Sequence, residues 1–159
     1  MCFQKDVFDI IDDKVTVHSE NKKILTCETN TAWLNICFGE DIYNKVKEND
    51  ILNSGTYFGT RTAVVDLLDK MCSNITSVLN RAGNYLIIDQ PAMNIVVYDD
   101  PGHFNIRTDN MVYNLAHSAK ANFDMTGELV SVNETTPYVL HQYDIIPDLR
   151  QYLYSKYKT

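Results

Sequence analysis

Lysine and arginine never cluster with interleaved aromatic residues in this chain, and its 159 residues carry a net charge of −7. A phosphate backbone needs a basic face, so the composition argues against nucleic acid as a partner. Glycine and proline are sparse, at six and four residues, and no repeat, low-complexity tract or Pro/Gly-rich linker interrupts the sequence. Residues 1–159 therefore read as a single domain, long enough to bury a core without staples. The four cysteines, Cys2, Cys27, Cys37 and Cys72, form no C-x-x-C pair and have no histidine pair at zinc spacing beside them. Scattered buried thiols are the simpler reading, with two disulfides left open. No basic patch leads into an apolar stretch at the N-terminus, and no run approaches the roughly 20 apolar residues of a membrane span. As written, the chain reads as soluble and intracellular, with no membrane span.

What is present is an ordinary globular composition, 45% hydrophobic and 22% charged, with ten tyrosines suited to cores and wet binding surfaces alike. Lys14–His18 alternates like a strand, and Ile24–Cys27 reads as a second short one. Asn30 or Thr31 caps a short helix through Phe38 that Gly39 ends, and Glu40–Lys47 forms another. Thr60 to about Arg81 is the plainest helix. Ala63, Val64, Leu67, Leu68, Met71, Ile75, Val78 and Leu79 recur at three-and-four spacing there, and Gly83 supplies the stop. Leu86-Ile87-Ile88 predicts a short buried strand leading to Asp89, followed by a helix with Pro91 in its first turn, to about Tyr98. Short strands follow at 103–106, 111–115, 129–132 and 138–141, and Pro147 opens a terminal helix. Strands and helices mix without a βαβ rhythm, which predicts an α/β fold with a mixed sheet.

Three blocks carry the candidate chemistry. In Asn53-Ser54-Gly55-Thr56-Tyr57-Phe58-Gly59-Thr60-Arg61, the glycines let backbone approach a ligand, while Asn53, Ser54 and Thr56 offer compact donors and acceptors for sugar hydroxyls or phosphate oxygens. The plainer account is a tight turn with Thr60 as helix cap, since the spacing is neither a Walker loop nor a Rossmann fingerprint. In Asp89-Gln90-Pro91-Ala92-Met93-Asn94, a partly buried carboxylate at a strand end is placed to take a proton from a sugar hydroxyl. On physics alone an ordinary helix cap is the favoured account. In His141-Gln142-Tyr143-Asp144, His141 leaves a strand where an imidazole can meet a divalent metal or a diphosphate. A lone histidine is more often structural. Asp12-Asp13 and Asp99-Asp100 read as loop and turn acids. Asn74-Ile75-Thr76 and Asn133-Glu134-Thr135 match the glycosylation sequon, the first inside the long helix.

Taken in order, these blocks resemble a family of GT-A-type nucleotide-sugar glycosyltransferases. Phe3-Gln4-Lys5-Asp6-Val7-Phe8 is similar to its F-Q-x-D-P-F segment, with Val7 at the proline, and Trp33 with Phe38-Gly39 to its W…F-G stretch. Ser54-Gly55 through Gly59-Thr60 resembles S-G-x-x-x-G-T, Asp89-Gln90 with Asn94 resembles D-Q-x-x-x-N, and His141-Gln142-Tyr143-Asp144 resembles H-Q-Y-D. The resemblance implies a partial GT-A-like α/β fold, the C-terminal, acceptor-side portion of a catalytic domain. An acidic D-x-x-D motif and the nucleotide-binding part would precede Met1. It implies hexosyl or pentosyl transfer from a nucleotide-diphosphate donor to a glycan or other hydroxyl acceptor, assisted by Mn²⁺ or Mg²⁺. Asp89 would be the catalytic base if the anomeric carbon inverts. Asn53, Ser54, Gly55, Thr56, Gln90 and Asn94 would line the substrate pocket, and His141 would stand at the metal. Alone, such a portion is expected to bind nucleotide weakly and to self-associate. The competing readings are a non-catalytic glycan- or protein-binding remnant and an unrelated hydrolase pairing Asp89 with His141. The second lacks a serine or cysteine on a strand-to-helix elbow.

Overall fold

The structure, a computed structural model, describes residues 1–82, 88–115 and 121–157, with backbone alone at 80–82. It is α/β, with mixed sheets and five helices among the described residues. The chain gathers into two compact units. One is Ile10–Thr108, and the other combines Met1–Asp9 with Asp109–Thr159. Elements are numbered along the chain, so β1 (Cys2–Phe3) belongs to the second.

In Ile10–Thr108 the central strand is β2 (Val15–Lys23), antiparallel to β3 (Asp50–Phe58) and parallel to β4 (Phe104–Arg107). The strand expected at 14–18 runs on to Lys23, and the second strand expected at 24–27 is instead a 3₁₀ turn at Ile24–Thr26. Pairing with β3 carries the polar half of β2, which ends on an ion pair between Lys23 and Asp50 at 2.8 Å. Next come α1 (Glu28–Phe38) and α2 (Glu40–Val46), separated by Gly39, whose φ of +89° suits a residue without a Cβ. Asn30 lies inside α1, and Cys27 is the residue before it, so the helix starts earlier than its side chains suggested. The long helix α3 (Arg61–Ala82) follows β3, with Thr60 Oγ1 accepting the Ala63 N–H at 3.4 Å. Then α4 (Asp89–Asp99) runs to a 3₁₀ turn at Pro101–His103. Gly83 and the Leu86-Ile87 part of the expected strand lie outside the described residues.

Both faces of β3 are covered, which is why its two consecutive apolar residues are both buried. Ile51 packs with Ile24, Cys27, Leu34 and Val46, while Leu52 packs with Val17, Leu67, Met71, Met93 and Val97. The stripe on α3 is narrower than expected. Leu67, Met71 and Val78 are buried, whereas Leu68 and Leu79 are exposed on its flanks.

In the other unit, β8 (Val139–His141) lies between β1, which is antiparallel to it, and β5 (Val112–Asn114), which is parallel. A two-stranded ribbon of β6 (Phe123–Asp124) and β7 (Ser131–Val132) joins α5 (Pro147–Tyr157) over a core of Leu115, Val130, Val132, Leu140, Leu149 and Leu153. Gln4, from the F-Q segment, holds Val130 by its backbone, donating to the carbonyl at 2.9 Å and accepting its N–H at 2.6 Å. All four cysteines are free thiols, with Cys27 and Cys37 buried, Cys2 half-buried and Cys72 exposed. No helix among the described residues is long and apolar enough to cross a membrane.

Candidate functional site

The pairing of β2 with β3 slips twice, and the slips build the site. Between Val17–Tyr57 and Ser19–Leu52, β2 has His18 alone while β3 has Asn53, Ser54, Gly55 and Thr56. Between Ser19–Leu52 and Lys23–Asp50 the excess reverses, with Glu20, Asn21 and Lys22 facing Ile51. The expected loop at 53–56 is therefore a bulge within a continuous strand. Bulges of this kind bend a strand and re-aim its side chains. Asn53 holds its own bulge, because Oδ1 accepts from Gly55 N–H at 2.8 Å and Thr56 Oγ1 at 3.0 Å. Asn21, in the opposing bulge, takes a left-handed φ of 53°, and its N–H bonds Ser19 Oγ at 2.8 Å. Gly59 lies close to the neighbouring strand, where a Cβ would meet Val15 Cα at a tight 3.2 Å.

These slips bring the two motif blocks of this unit together. Ser54 Oγ donates to Asp89 Oδ2 at 2.8 Å, across 35 positions of sequence. Gln90 Nε2 donates to Glu20 Oε1 and to Asn30 Oδ1, each at 3.3 Å, and Asn53 Nδ2 reaches the same Glu20 oxygen at 3.4 Å. Asn30 Nδ2 in turn donates to Cys27 Sγ at 3.4 Å. Burial pushes the Cys27 thiol up, but the Asn30 side chain and backbone, Lys22 and the Thr29 N–H outweigh it and hold it below the ordinary thiol range.

The residues differ in what they leave accessible. Asp89 is exposed as the first residue of α4, so the partial burial expected of it is not found, and Ile88 rather than Asp89 precedes the helix. Ser54 and Gln90 are half-buried, and Gly55 is exposed. Asn53 and Thr56 are buried beneath them at 3% exposure. Asn94 is deeper still, and its amide accepts the Leu52 N–H at 3.0 Å and donates to the Leu52 carbonyl at 3.2 Å and the Gln90 carbonyl at 2.7 Å. It ties α4 to β3 below the surface formed by Ser54, Gly55, Asp89 and Gln90. Glu20 and Asn30 were not singled out from sequence. Glu20 stands in a polar run that reads as loop, and Asn30 reads as a cap.

His141 belongs to the other unit. It is half-buried at the end of β8, paired in register with Asn114, and its buried Nδ1 has no hydrogen-bond partner among the described residues. Burial, then the chain's N-terminal amine, lowers its pKa from 6.5, and Asp144 partly offsets them. Gln142 beside it has a left-handed φ of 55°. No group of three or more His, Cys, Asp or Glu side chains suited to a metal gathers among the described residues. In the same unit three of the ten tyrosines, Tyr143, Tyr154 and Tyr157, line an apolar pocket of about 330 Å³ with Met1, Cys2 and Leu153. Of the two sequons, Asn74 lies within α3 and bonds the Lys70 carbonyl, while Asn133 lies exposed in a tight turn.

The chain matches no protein-family model, no curated protein and no solved structure. The functional reading therefore rests on the residues themselves.

Proposed function

We propose that this chain carries the acceptor-side chemistry of a GT-A-type nucleotide-sugar glycosyltransferase. Asp89 takes the proton of an acceptor hydroxyl as that oxygen attacks the anomeric carbon of the donor sugar and the nucleotide diphosphate leaves. The supporting observation is the 2.8 Å bond between Ser54 and Asp89, which joins the two motif blocks of the Ile10–Thr108 unit in one exposed surface. Ser54 holds Asp89 Oδ2 and so orients the carboxylate, leaving Oδ1 for the hydroxyl proton. Gln90 and Gly55 border the same surface, with Asn53, Thr56 and Asn94 supporting it from beneath.

Mn²⁺ or Mg²⁺ enters this proposal through the motif resemblance alone. Such ions prefer several oxygen ligands. His141 is a single imidazole with no gathered carboxylates beside it among the described residues, so these residues do not themselves fit the ion. No step is routed through it.

The test is acceptor-dependent release of nucleotide diphosphate. The chain is incubated with a panel of nucleotide-sugar donors, neutral glycoside acceptors and Mn²⁺. Because this chain is expected to bind nucleotide weakly, release above the donor-only background is expected only at high donor concentration, and Asp89→Asn should lower it at least about 100-fold with the unfolding midpoint retained. Full turnover in Asp89→Asn would remove that residue from the chemistry. Saturable glycan binding with no release from any donor would replace the enzyme with a non-catalytic glycan-binding protein.

A further inference from the structure

The hydrogen bonds beneath Gln90 fix which way its amide faces. Asn30 is buried at 5% exposure and directs Nδ2 to Cys27 Sγ, so its Oδ1 points the other way and receives Gln90 Nε2. The second N–H of Gln90 goes to Glu20 Oε1, which Asn53 also holds. A primary amide has two N–H groups, and both of Gln90's are engaged inward. Its Oε1 is left as the outward group, and no described residue donates to it. At the neighbouring position Asp89 offers Oδ1, and the Ser54 hydroxyl proton is already directed to Oδ2. The side chains of Gln90 and Asp89 therefore offer hydrogen-bond acceptors outward.

We propose that Asn30, anchored by Cys27, is a positioning residue that locks Gln90 with its carbonyl oxygen outward. The surface then takes a neutral polyol, a sugar ring donating two hydroxyl protons to Gln90 Oε1 and Asp89 Oδ1, and rejects phosphate or carboxylate groups. The negative charges of Glu20 and Asp89 act against an anion. This ligand assignment rests on the glycosyltransferase reading for the identity of the site, whereas the amide lock does not.

Both parts are tested by nuclear magnetic resonance on the full ¹⁵N-labelled chain. Cys27→Ala removes the acceptor that orients Asn30, and Cys27→Ser restores one. The side-chain amide signals of Asn30 and Gln90 are expected to move in Cys27→Ala and to stay near their wild-type positions in Cys27→Ser. Gln90 signals indifferent to Cys27→Ala would overturn the lock. The ligand probes are methyl glucoside, galactoside, mannoside and xyloside, each beside the corresponding sugar phosphate. At least one glycoside should shift the Ser54 and Gln90 resonances with no response to its phosphate, and Cys27→Ala should raise its Kd about tenfold. A phosphate that binds as well as its glycoside, or no response to any glycoside, would overturn the ligand assignment. A chain that passes both and releases no nucleotide diphosphate keeps the polyol site and loses only the transfer reading.

Discussion

Asn94 holds both the N–H and the C=O of Leu52, and Gln4 holds both those of Val130. Each side-chain amide supplies the donor and acceptor that a neighbouring strand would otherwise supply, so buried backbone groups stay paired. Removing one leaves two buried polar groups without partners. Asn94→Ala is expected to cost about 3 kcal/mol in urea unfolding. A loss below about 0.5 kcal/mol would show that Leu52 finds other partners. His141 has a different consequence. Its lowered pKa means that, as pH falls through 6.5, the unfolded histidine takes up a proton sooner than the folded one. Stability contributed here is therefore present above the unfolded pKa and declines as pH drops toward the lowered folded value. His141→Gln should flatten the stability profile as pH falls below 6.5, and identical profiles for the two proteins would contradict the assignment.

At the scale of elements, the long helix was legible from pattern. The three-and-four spacing from Ala63 to Val78 and the cap at Thr60 place α3 within one residue of its observed start. That cap bond is measurable, and Thr60→Ala is expected to cost about 1 kcal/mol, with Thr60→Ser close to wild type. Equal stability of all three proteins would remove the cap. The bulge at 53–56 was not legible, and neither was the continuation of β2 to Lys23. Asn-Ser-Gly-Thr and Ser-Glu-Asn-Lys-Lys both have turn composition, and only pairing shows that each lies in a strand, the first slip opposite His18 and the second opposite Ile51. Asn53 stabilises the first bulge by two hydrogen bonds. Asn53→Ala should lower stability by about 2 kcal/mol and disturb the Ser54–Asp89 bond, read as shifts of the Ser54 and Asp89 amides. Sharp, unmoved amide signals would mean that the bulge holds itself.

At the scale of the whole molecule, apolar side chains remain on the surface. Phe8 is 77% exposed and Phe3 53%, both within the F-Q segment. Exposed apolar side chains favour association where they adjoin. Concentration-dependent self-association is expected in sedimentation velocity, reduced by Phe3→Ser together with Phe8→Ser, and a monomer at every concentration would count against it. The two compact units also divide the three motif blocks. The blocks at 53–61 and 89–94 fold into Ile10–Thr108, and the block at 141–144 into the other unit. Sequence alone determined the α/β class, the long amphipathic helix, most element positions and the motif blocks, because periodicity and capping are local properties of neighbouring residues. Only the tertiary structure decided that Ser54 meets Asp89, that Glu20 and Asn30 join them, and that Asn94 is tied to backbone. Those contacts span 35 to 70 positions and depend on the register of paired strands, which no local pattern encodes.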